Sequence, residues 1–326
     1  MPGDPSTIDL RNLRHTVGLE LRVRRSRWRS CHHGDRRTGL CNLYGTTGAV
    51  NCHAILGLPF GGEAQRQKWA RAIRSYQKSG GSFPGACPEH ATAMAIQALN
   101  LLGGDVPRNL ANLAPLEPDR LGGWLGGHDW QTTHKRLWGG TVPILASDLA
   151  TDGWKEELFG TLVSRLSPDR PLETWCNKND PPWKVISKVY HVLAIFDAAA
   201  VPYPHPDLLA SRLLGLDWHH VRAGEYKTLC TDGDWAWNLL ELMKLQPGLA
   251  DEAMSQIAGV SRERASEWNG GAISLSALTT HHIYCHLWVT ALFQHADRER
   301  FKGAWLQDTL NSPHLFRLTD LDRDGS

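Results

Sequence analysis

Gln67-Lys-Trp69-Ala-Arg-Ala-Ile73-Arg-Ser-Tyr76-Gln-Lys-Ser-Gly80-Gly81-Ser82-Phe83-Pro84-Gly85, with Pro88-Glu89-His90-Ala-Thr92-Ala-Met94-Ala-Ile96-Gln-Ala-Leu99-Asn-Leu-Leu102-Gly103-Gly104 just beyond it, reads as helix, glycine-rich turn, helix. Trp69, Ile73 and Tyr76 recur at the three-to-four spacing of a helix with one apolar face. Ala91, Ala93, Ala95, Ile96, Ala98, Leu99, Leu101 and Leu102 instead wrap nearly all round the second helix. The first helix is therefore expected to face water and the second to be buried, an outer and inner pair of an α/α barrel.

Working outward, five degenerate copies follow the same plan, a polar or Trp-bearing opening and then an apolar helix. The openings are Tyr44-Gly-Thr46-Thr47, Asp129-Trp130-Gln-Thr132-Thr133-His134, Pro182-Trp183-Lys184, Cys230-Thr-Asp232-Gly233-Asp234-Trp235 and Thr279-Thr280-His281-His282. From Thr46 through Thr92, Thr132, Lys184 and Asp232 to Thr280 the steps are 46, 40, 52, 48 and 48 residues. Outer helices are expected over 13–29, 63–77, 118–125, 154–166 and 206–216, and over 249–259 with 262–268. The period predicts an all-α, (α/α)6 toroid of six outer–inner hairpins, a single domain over residues 1–326 with about ten frayed residues at each end.

A chain of 326 residues, 41% of them hydrophobic, can bury a large core. It has no run of eighteen apolar residues and no basic-then-apolar opening, so neither a membrane span nor a signal peptide is expected, and the default location is cytoplasmic. Seven cysteines, at 31, 41, 52, 87, 176, 230 and 285, form no CxxC and no compact framework; disulfides are not expected. The net charge of +1 gives no reason to expect nucleic acid. The basic run Arg22-Val-Arg24-Arg25-Ser-Arg27-Trp28-Arg29, with Arg36-Arg37, reads as the solvated face of the first outer helix. Dinucleotide, P-loop, nucleophile-elbow, HExxH and EF-hand signatures are all missing.

The unit Trp69–Gly104 resembles the repeat of the terpenoid cyclase and protein prenyltransferase α/α-toroid superfamily. There a Trp-bearing outer helix leads into a Gly-Gly-x-Phe-x-Gly turn, then a His and a Thr at the start of an Ala/Leu-rich inner helix. The matching residues are Trp69, Gly80 to Gly85, His90 and Thr92. The likeness is close over this one unit and loose over the other five. It implies a toroid whose mouth takes an isoprenoid, by analogy of fold rather than by a shared site.

Six inner helices starting at one mouth would ring it with helix N-termini, which favour anions, and with aromatic faces. Asp232, Asp234, His90 and His281 are the expected acid/base residues there. Tyr44, Trp130, His134, Trp183, Lys184 and Trp235 are the expected substrate contacts, with Lys184 available to a diphosphate and the Trp rings to positive charge. Two carboxylates two residues apart suggest an acid and a base with split pKa values. The alkene-protonating members of the resembled superfamily carry Asp-x-Asp-Asp at a comparable helix start, where this chain has Asp232, Gly233, Asp234 and then Trp235.

The prenyltransferase members hold zinc with an Asp, a Cys and a His, which points to Cys230, Asp232, His281 and His282. The order Cys230-x-Asp232 reverses the family's Asp-x-Cys. His281 with Cys285 and His282 with His286 are also i,i+4 pairs able to share a face. The default is no cofactor, with zinc or magnesium as the alternatives. Three functions follow: an isoprenoid-handling enzyme; a carbohydrate-active α/α-barrel enzyme pairing Asp232 or Asp234 with Glu89 or Asp129; and a non-catalytic toroid scaffold.

Overall fold

Proline at the first helical position, side-chain caps and unbroken apolar runs place the helices where the repeat predicts them. The computed structural model describes residues 8–27, 42–107, 109–130, 134–166, 179–216, 218, 229–269, 275, 278–296, 301–302, 306, 309 and 312–318. The basic residues 28–29 and 36–37, together with Cys31, Cys41, Thr132, Thr133 and Cys176, lie outside them. Twelve α-helices are found among the described residues: α1 (Leu10–Arg27), α2 (Leu43–Ile55), α3 (Glu63–Arg74), α4 (Pro88–Leu101), α5 (Pro118–Gly126) and α6 (His134–Ala146), then α7 (Asp152–Ser164), α8 (Pro182–Ala198), α9 (Pro206–Leu214), α10 (Leu229–Leu245), α11 (Ala250–Asn269) and α12 (Thr280–Ala296). Pro88, Pro118 and Pro182 open α4, α5 and α8, where a missing N–H costs nothing. Asn42 caps α2 by accepting from the Gly45 N–H at 2.6 Å, and Thr151 caps α7 by accepting from the Trp154 N–H at 3.2 Å.

Burial differs sharply between the two helices that flank the glycine-rich turn. On α3 only Trp69, Ala70 and Ile73 are buried, whereas α4 is buried continuously from Ala91 to Leu99. Between them the glycine-rich turn puts Phe83 wholly in the core, and Gly81 takes a φ of 85° where a Cβ would overlap the Asn109 carbonyl. One outer segment departs from expectation. The stretch read as two pieces, 249–259 and 262–268, runs as the single helix α11, because no proline interrupts it and one interior glycine, Gly259, costs only about 1 kcal/mol.

The described chain divides into two compact units, Met1–Gln65 with Leu214–Leu310, and Arg66–Leu213 with Asn311–Ser326. In the first, α12 packs between α2 and α10, so the first and last inner helices of the chain are neighbours. In the second, α6 packs between α4 and α8, and α5 lies against α7. Both chain ends are anchored further out than the ten frayed residues expected. Ile8–Asp9 (β1) pairs in parallel with Phe301–Lys302 (β2) in the first unit. In the second, the 3-10 turn Pro313–Phe316 sits on α4 and α6, Asn100 Nδ2 donates to the Leu315 and Arg317 carbonyls, and the Leu318 N–H donates to Ser147 Oγ at 2.6 Å.

Candidate metal centre

In the first unit the site grows from two helix crossings that need glycine. A Cβ at Gly233 on α10 would overlap the Trp288 ring of α12, and one at Gly48 on α2 would come within 3.3 Å of the His281 Cα. The first contact packs α10 on α12, and the second packs α2 on α12. Cys230 stands in the first turn of α10, and His281 and Cys285 stand one helical turn apart on α12. Their ligand atoms, two Sγ and an imidazole nitrogen, all lie within 4.8 Å of one another and can hold a metal ion. His281 Nε2 is 3.7 Å from Cys285 Sγ, and the edge of Tyr44 meets the His281 ring at 5.6 Å between centroids.

In this structure Cys230 and Cys285 are joined as a disulfide, which corrects the expectation of none. Their Cα atoms are 5.2 Å apart, inside the range a disulfide spans, although 55 residues separate them in sequence. Spacing along the chain carries no sign of this pairing, because it is made by the packing of α10 on α12.

The expected metal set is also corrected. Cys230 and Asp232 are both inside α10, where residues two apart do not face the same way, and His281 and His282 are adjacent on α12. Cys285 therefore takes the place expected of Asp232 and His282. The Asp232 carboxylate turns to the buried Arg264 of α11, with Nη2 to Oδ2 at 2.5 Å. Arg264 Nη1 also donates to His286 Nδ1 at 3.1 Å, which fixes that imidazole in the neutral form protonated at Nε2. Burial first, and Arg264 second, push the His286 pKa down to about 3. Asp234 is buried, and it stands two residues from Asp232 inside α10, an offset that sends side chains to different faces. Trp235 is not open at a mouth: it is fully buried and stacks on Trp218 at 5.1 Å.

The second unit collects another group of the expected residues. His90 of α4 and His134 of α6 both lie beside His191 of α8, at ring separations of 5.8 and 5.1 Å, with Trp138 at 5.8 Å and Tyr190 at 5.1 Å from the same ring. Gly139 permits this, since a Cβ there would overlap the backbone of Glu89 and His90. His191 Nδ1 donates to the Ser187 carbonyl at 2.6 Å. Burial, then Lys135, Lys188 and Lys184, holds His134 down to about 3, and burial holds His191 well below its ordinary value.

Lys184 reaches Asp180 Oδ1 at 2.6 Å, and the fully buried Lys188 takes Asp180 Oδ2. Glu89 is bound to Arg136 at 3.0 Å. Trp130 receives the Arg165 guanidinium over its ring at 4.4 Å, and Trp183 is half-buried at the start of α8. The Cys87 thiol is pushed up by burial, which suits a structural thiol rather than a nucleophile.

No protein-family model, curated protein or solved structure matches this chain. No helix among the described residues is long and apolar enough to cross a membrane.

Proposed function

We propose that the chain is a zinc-dependent enzyme of the isoprenoid-handling class, with Cys230, His281 and Cys285 as the metal ligands of its first unit. The observation that carries the reading is the convergence of those three ligand atoms within 4.8 Å. In a tetrahedral zinc site with bonds of about 2.0–2.3 Å, ligands stand roughly 3.3–3.8 Å apart, a spacing this group reaches once the disulfide is open. Two sulfurs and an imidazole form a soft set that suits zinc. Magnesium, which wants oxygen ligands in an octahedron, does not fit it. Three protein ligands leave a fourth position open, the pattern of catalytic zinc, and a bound zinc there would supply Lewis acidity toward a thiol or water.

The chain's own residues do the positioning. Tyr44 braces the His281 ring, Gly48 lets α2 close on it, and the turn between His281 and Cys285 sets their separation. Asp232 serves as the counter-charge of buried Arg264. Its carboxylate is turned to that arginine, which moves the reading from protonation of an alkene toward group transfer. The isoprenoid class and the (α/α)6 toroid rest on the resemblance of Trp69–Gly104, with the packing of α2 on α12 supporting a ring in which the first hairpin follows the last. Of the carboxylates a sugar-active enzyme would use, Asp232 and Glu89 are each bound to an arginine, and no observation favours that reading.

The test is metal content by plasma mass spectrometry on protein purified under reducing conditions, beside diphosphate release from farnesyl diphosphate in the presence of a small thiol. About one zinc per chain is expected, lost in Cys285→Ser together with any release. Absence of metal from the reduced protein would withdraw the zinc reading. Zinc without diphosphate release would withdraw the isoprenoid class alone.

A further inference from the structure

We infer that Cys230 and Cys285 form a thiol–disulfide switch that decides whether the metal centre exists. This rests on the zinc reading above and adds regulation to it. The same two sulfurs are needed for two exclusive purposes. Joined to each other, as in this structure, they offer no thiolate; separated, they stand with His281 as a three-ligand set.

Three features make the pair a switch rather than only a staple between helices. Cys230 is half-buried whereas Cys285 is closed in, so Cys230 is the more accessible residue of the pair to a thiol reductant. His281 Nε2 lies 3.7 Å from Cys285 Sγ, so the third ligand of the set already stands beside that sulfur when the bond opens. Cys230 and Cys285 sit on α10 and α12, whose packing is held by Gly233 against Trp288 as well as by the bond, with their Cα atoms 5.2 Å apart.

The chemistry balances with a thiol reductant as co-reactant. A thiolate of the reductant attacks one sulfur, the Cys230–Cys285 bond breaks, and a second thiol resolves the mixed disulfide. The reductant leaves oxidised as its own disulfide, and two electrons and two protons end on the cysteine sulfurs. Metal uptake then releases those protons to solvent. Oxidation reverses the sequence and expels the ion.

The full-length chain tests this in two preparations, one treated with dithiothreitol and desalted anaerobically, the other oxidised with glutathione disulfide. Each is titrated with zinc against a chromophoric chelator, and the state of Cys230 and Cys285 is read by differential alkylation and peptide mass spectrometry. The expected result is binding in the reduced sample, at least about 100-fold weaker binding in the oxidised one, and recovery on re-reduction. His281→Gln should keep the disulfide yet lose about 10- to 100-fold or more in zinc affinity, since even an outer-shell partner is worth that much.

Equal zinc binding in both preparations would overturn the switch while leaving the metal centre standing. A reversible disulfide with no zinc binding in either would overturn both. Failure of Cys230 and Cys285 to pair under oxidation would overturn the switch alone.

Discussion

In the first unit α10 and α12 bring together two sulfurs and an imidazole, whereas in the second α4, α6 and α8 bring together three imidazoles, with Lys135, Lys184, Lys188 and Asp180 close by. The supporting device is alike in both: three inner helices in a row, with a glycine where two of them press together, Gly233 against Trp288 and Gly139 against Glu89. Only the donor atoms differ. Sulfur gives the first unit a ligand set that suits a soft metal, the basis of the zinc reading and of the switch proposed above. The second unit is dominated by burial, which keeps His134 and His191 uncharged beside Lys184 and Lys188. Helical architecture thus sets where polar groups meet, and the residue types at the meeting point set what chemistry is available.

The largest effect that would break this contrast is expected at Asp180. Asp180→Ala leaves Lys188 buried without its counter-charge, and breaking such a pair from one side costs about 3–5 kcal/mol. Urea unfolding measures it; a loss below about 1 kcal/mol would mean that Lys188 escapes to water. The double change Asp180→Asn with Lys188→Met is expected to recover most of the loss, because it removes both charges.

Next come the two crossing glycines. Gly139→Ala and Gly233→Ala each force an overpacked contact, at about 1–3 kcal/mol. Gly139→Ala should lie at the upper end, since its Cβ meets backbone rather than a ring that can shift. If the two units are chemically separate, Gly233→Ala weakens zinc binding and Gly139→Ala does not; equal weakening would break the comparison.

Acidification sharpens it further. His286 in the first unit and His134 in the second both stay neutral down to about pH 3, while in the unfolded chain each takes a proton near pH 6.5. Below pH 6.5 the unfolded state therefore binds more protons. The stability contributed by the neutral rings is whole above that pH and declines as pH falls toward 3, by about 1.4 kcal/mol per pH unit for each ring. Replacing either histidine with Gln should flatten the decline by one ring's share in unfolding measured at stepped pH. An unchanged slope would show that the ring is already protonated in the folded state.

The smallest effect is a control on an outer helix. A Cβ at Gly160 of α7 meets nothing, so Gly160→Ala is expected to stabilise by about 0.4–1 kcal/mol, and a loss would contradict the outer position of that face.

How far the sequence could be read depended on distance along the chain. Trp69, Ile73 and the Ala91–Leu99 run mark their helices because burial on a helix repeats every three to four residues, a pattern held within a few turns. The i,i+4 pair His281 and Cys285 is legible for the same reason, and the Asp180, Lys184, Lys188 ladder follows the same four-residue spacing. Asp232 is expected to pair with Cys230 and with Asp234 at the opening of a helix, and all three lie within α10. In a helix an offset of two sends side chains to different faces. Arg264 and His191 carried no local signal at all, since each acquires its role only from a neighbouring helix.

By itself, then, the sequence determined the helices, the alternation of exposed and buried ones, and the places where polar residues begin each inner helix, all consequences of short-range periodicity and capping. Only the tertiary structure decided that Cys230 meets Cys285 across 55 residues, that Arg264 takes Asp232, and that three histidines from three helices share one cluster. Those contacts are made by helices packing side by side at glycines, and the residues they join are too far apart in the chain for any local pattern to record them.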